Sequence, residues 1–70
     1  MERLRRLIEE GYVPIRILNS VGANYQVLGI TLRNEQEGVI KSIRVIDSNQ
    51  IEQIKRFVKK NFSDIVITYR

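Results

Sequence analysis

The chain contains no cysteine, no histidine and no tryptophan, and a single proline. Without cysteine there is no disulfide framework, no thiolate nucleophile and no thiolate-held metal. Without histidine, the commonest general base and the commonest metal ligand are both missing. No stretch approaches the roughly 18 consecutive apolar residues that a membrane-spanning helix requires. The amino terminus, Met-Glu-Arg-Leu-Arg-Arg, is charged and is followed by no apolar leader segment. The expectation is one small cytoplasmic domain over residues 1–70, with no cofactor and no metal.

Charge of one sign is scarce in the second half. The net charge is +4, and residues 1–38 balance five basic against five acidic groups. Residues 39–70 carry seven basic and three acidic groups, so the whole excess lies there. That balance permits nucleic-acid binding without requiring it. At this length a single core supplies only about 3–5 kcal/mol of net stability, so burying a second surface in a partner would help.

What the chain does have is a run of three strand-like segments between Val13 and Ile46. Tyr25–Arg33 alternates Leu28, Ile30 and Leu32 on one side with Tyr25, Val27, Gly29 and Thr31 on the other. Val39–Ile46 places Val39, Ile43 and Val45 on one side, interrupted by Lys41, and Ile40, Ser42, Arg44 and Ile46 on the reverse. A four-residue connection between them pairs Leu32 with Val39 and Leu28 with Ile43, with Gly38 available for positive φ. Val13–Asn19 reaches the second segment through Ser20-Val-Gly-Ala23. With Asn19 facing Asn24, Val13, Ile15 and Ile17 join the Leu28/Ile30 side, while Arg16 and Leu18 join the reverse side.

Helices flank this meander. In residues 2–10, Leu4, Leu7 and Ile8 recur at helical spacing and Gly11 stops the run. Glu2/Arg6, Arg5/Glu9 and Arg6/Glu10 stand four apart, so its charges answer one another. Asp47-Ser-Asn-Gln50 then marks a helix start with the spacing of a capping box. From there to about Asn61, Ile51, Ile54, Phe57, Val58 and Phe62 form an apolar stripe, with Lys55 on its border. Ile65–Tyr69 is a β-branched run and reads as a fourth strand. The order is α-β-β-β-α-β, an α+β two-layer sandwich with a mostly antiparallel sheet. Polar residues on the third strand suit an edge, so the favoured spatial order is 3-2-1-4, with both helices on the Leu28/Ile30 face.

No nucleophile with an activating base emerges. Ser20 and Ser63 lie in loops, Gly22 reads as a turn residue, and Glu35 and Glu37 read as solvated carboxylates at a loop tip. The expectation is a protein that is not an enzyme. The informative constellation is the reverse sheet face, where Leu18, Val27, Ile40 and Ile46 mix with Arg16, Tyr25 and Arg44. An apolar centre with arginine and tyrosine is the composition of a protein interface, for a partner or for a homodimer. A chain this small suits an accessory or inhibitory factor. The competing reading is nucleic acid, held by the basic end of the second helix (Arg56, Lys59 and Lys60) with the sheet arginines. Those same cations also suit a helix C-terminus, where the macrodipole favours them. A third account has an element of the chain itself covering the reverse face.

In element order and length, Glu2–Phe62 resembles double-stranded-RNA-binding domains, which run α-β-β-β-α. Those domains carry a lysine cluster at the start of their last helix. Here that position is Asp47-Ser-Asn-Gln50, the lysines come at the other end, and a further strand follows. The resemblance therefore implies an arrangement of elements and no phosphate-contacting residues.

Overall fold

In the computed structural model, which describes residues 1–70, the chain forms α1 (Glu2–Glu9), β1 (Tyr12–Val21), β2 (Gln26–Asn34), β3 (Ile40–Val45), α2 (Ser48–Asn61) and β4 (Ile67–Tyr69). The sheet order is β3-β2-β1-β4, with β4 parallel to β1 and the other neighbours antiparallel. This is the α+β sandwich that the sequence pattern implies, down to the place of the last strand.

Each helix is fixed by local chemistry and then by packing. Leu4 and Leu7 of α1 are buried against the sheet, and Gly11 ends the helix at φ 99, a backbone region that costs glycine little. The expected charge pairs along α1 are not closed: the one ion pair in the molecule joins Lys55 to Glu52 at 4.0 Å. Solvated charges four apart gain only tenths of a kcal/mol, too little to hold long side chains in place. Asp47 caps α2, its Oδ1 accepting from the backbone N–H groups of Asn49 and Gln50 at 2.9 and 3.1 Å. Ile51, Ile54 and Val58 of α2 are buried, and Phe57 and Phe62 pack beside them. They join Leu4, Leu7, Ile17, Leu28, Ile30, Leu32 and Ile43 in one core, so both helices share one face of the sheet.

Strand pairing departs from the expectation in three places. Between β2 and β3 the partners are Leu32↔Lys41, Ile30↔Ile43 and Leu28↔Val45, two residues from the expected register. Asn34 is the cause. Its Oδ1 accepts from the backbone N–H groups of Gln36 and Glu37, its N–H donates to Val39 O, and Gly38 follows at φ 72. Val39 is thereby drawn into the loop and is 42% exposed rather than in the core. A two-residue shift leaves every β3 side chain on its expected face.

The β1–β2 hairpin is longer than expected. Asn19 pairs with Leu28, and Gly22 N–H donates to Tyr25 O at 2.8 Å across a turn made by Ala23 and Asn24. Register also slips between Pro14 and Arg16, leaving Ile15 as the extra residue of a bulge. Beyond the bulge the faces exchange. Tyr12 and Pro14 take the core positions expected of Val13 and Ile15, and Ile15 is 50% exposed. Lys41, on the helix side of the edge strand β3, is exposed, and its ammonium lies 5.2 Å from the centre of the Tyr12 ring. β4 is also shorter than its β-branched run, beginning at Ile67 rather than Ile65.

Candidate functional site

The sheet face opposite the helices is built in cross-strand rows, because side chains alternate along each strand. At one end Tyr25 lies across from Gly22. Val27 then pairs with Ser20, and Gly29 with both Leu18 and Arg44. Thr31 follows with Arg16 and Ser42, and Arg33 with Val13 and Ile40. No element of the chain covers these rows, since α1 and α2 both pack into the core on the other side. Leu18 and Val27 are half-buried by their neighbours, Ile40 is exposed, and Arg16, Arg33 and Arg44 are exposed.

Gly29 sits at the middle. Its φ lies outside the left-handed region, and an added Cβ would meet only Leu18 O, at 3.9 Å. Neither conformation nor crowding calls for glycine there. An open hollow of ≈ 250 Å³ lies over Gly29, ringed by Arg16, Leu18, Thr31, Ser42 and Arg44. Both arginines thus border one depression from opposite sides.

The residues expected to form this site fall into three groups. Arg16, Leu18, Val27, Ile40 and Arg44 lie together on the open face. Tyr25 lies just beyond β2, at the hairpin tip, where its ring rests on Gly22: a Cβ there would be 3.0 Å from Cε1. Ile46 lies just past the end of β3 and is 73% exposed. Arg33 and Val13 belong to the face as well. Val13 reaches it only through the bulge, which no periodicity in the sequence signals. The hollow at Gly29 did have a signal, a glycine in the middle of a strand with no turn beside it.

Charge on this face has one sign. None of the eight acidic residues lies in a strand. Arg16, Arg33 and Arg44 are joined in no ion pair. Arg56, Lys59 and Lys60 are exposed too, but they belong to α2, whose core stripe lies against the opposite sheet face. The two cation groups therefore point away from each other and form no continuous surface. Glu35 and Glu37 stand exposed in the β2–β3 loop and belong to no cluster of three or more metal-ligating side chains. Comparison with protein families, with curated proteins and with solved structures finds no match to this chain.

Proposed function

We propose that the chain is a non-catalytic interaction module that docks a protein through its open sheet face. The observation that carries this reading is that Leu18, Val27 and Ile40 occupy a sheet face covered by no part of the chain. An antiparallel sheet tolerates water on one side when that side is polar. Here apolar side chains and arginines alternate across the face, and aliphatic groups interleaved with arginine, with no acidic side chain among them, are a composition that protein interfaces favour over a solvated sheet surface.

Two observations weigh against the nucleic-acid reading. The face has no aromatic side chain in its three central rows, where a stacking platform needs one. The helix cations, Arg56, Lys59 and Lys60, lie on the far side of the molecule and cannot reinforce the sheet arginines on one strand of nucleic acid.

The test uses peptides selected from a random displayed library on the whole chain, then measured against Val27→Asp. Circular dichroism establishes that the variant is folded. Binding that falls at least about tenfold supports the docking face, as expected when a charge enters a desolvated interface centre. Peptides that bind the folded variant as well as the original chain would remove it.

A further inference from the structure

We infer that the occupant of the open face is an extended, acidic segment of another protein, seated with a carboxylate over Gly29 between Arg16 and Arg44. This rests on the docking reading and goes beyond it by naming the partner's chemistry. Four observations converge on it.

The first is charge. Three arginines on three adjacent strands, with no carboxylate in any strand and no ion pair, leave a face that only an anionic partner can complement. Strand spacing and rise place Arg16 and Arg33 about 8 Å apart at the backbone, and Arg16 and Arg44 about 12 Å apart. An extended segment repeats its same-side residues about every 7 Å, so alternate acidic residues match this lattice. The second is the hollow. Gly29 has no positive φ and no crowding around its Cα, and it lies outside the bulge of β1, which leaves close approach of a ligand or another backbone among the uses of a strand-centre glycine. Two guanidinium groups on its rim suit a carboxylate, which accepts from the planar fork in pairs.

The third is area. The face, which continues from Leu18 onto Thr68 of β4, covers about 450 Å² over all four strands by strand geometry. A standard protein–protein interface buries about 800 Å² per partner, so the face is large enough for a segment and below the usual size for a second copy. The fourth is symmetry. A face-to-face pair of identical chains uses the same patch twice, so it would bring together two faces whose charged side chains are all positive, and like charges across an interface are costly.

The experiment extends the peptide selection. Random peptides of roughly ten residues, about the length of the longer strands, are selected on the whole chain and sequenced. They are then titrated against the original chain, against Val27→Asp and against the Arg16→Gln/Arg44→Gln double variant. Fluorescent RNA and DNA of about 20 nucleotides are titrated in parallel at low salt, and sedimentation of the chain alone reads self-association. The expected result is enrichment in Asp and Glu alternating with apolar residues, and affinity at least about thirtyfold weaker for the double arginine variant. Peptides without acidic enrichment that still fail on Val27→Asp would overturn this inference and leave the docking reading standing. Peptides indifferent to Val27→Asp would overturn both. Oligonucleotide binding lost in the arginine variant, with no acidic peptides recovered, would replace the protein partner by nucleic acid. A dimer dispersed by Val27→Asp would replace it by a second copy.

Discussion

Gly29 is the residue whose placement is hardest to explain by folding alone. Glycine in a strand interior loses conformational entropy on folding and offers no side chain for cross-strand packing. Its surroundings would accept a Cβ at 3.9 Å from the nearest atom, without strain. Gly29→Thr is therefore expected to raise stability by about 0.5–1 kcal/mol in urea unfolding. The same substitution places a branched side chain in the hollow between Arg16 and Arg44 and should weaken acidic-peptide binding. A variant that lost stability would show that the glycine answers a need of the backbone. Asn34 is the opposite case: one side chain, accepting from Gln36 and Glu37 and donating to Glu10 O at 3.4 Å, ties the β2–β3 loop to the end of α1.

Among the elements, the helices and the sheet order were legible because their signals are local and redundant. Asp47 with its cap, Gly11 with its positive φ, and the Ile51/Ile54/Val58 stripe each point to one outcome. Register was less legible. The alternation Val13, Ile15, Ile17 fits an unbroken strand as well as a bulged one, and the loop length at Asn34 depends on a side-chain hydrogen bond rather than on spacing. Even so, the open face was largely readable, because both register shifts are even-numbered and only the bulge exchanges faces. The bulge itself can be tested. Deleting Ile15 brings Pro14 and Arg16 into consecutive pairing with Leu32 and Thr31 and keeps Tyr12 in the core. The deletion is expected to change stability by less than about 1 kcal/mol. In an unbroken strand the same deletion would turn every residue before it to the other face, and the chain would unfold in the same urea titration.

At the scale of the whole molecule, one core serves two helices and leaves a sheet face over. The apolar side chains divide between two surfaces, only one of which the chain can close. The cations divide in the same way, with Arg16, Arg33 and Arg44 on the sheet and Arg56, Lys59 and Lys60 on the outer side of α2. On the docking proposal, the sheet surface is the one that meets a partner. This is tested most directly by mapping backbone amide NMR shifts of the isotope-labelled chain as a selected peptide is added. Shifts are expected to gather on Leu18, Val27, Gly29, Thr31 and Arg44, with α2 unmoved from Arg56 to Lys60. Shifts gathered on the end of α2, with the sheet silent, would contradict the docking proposal.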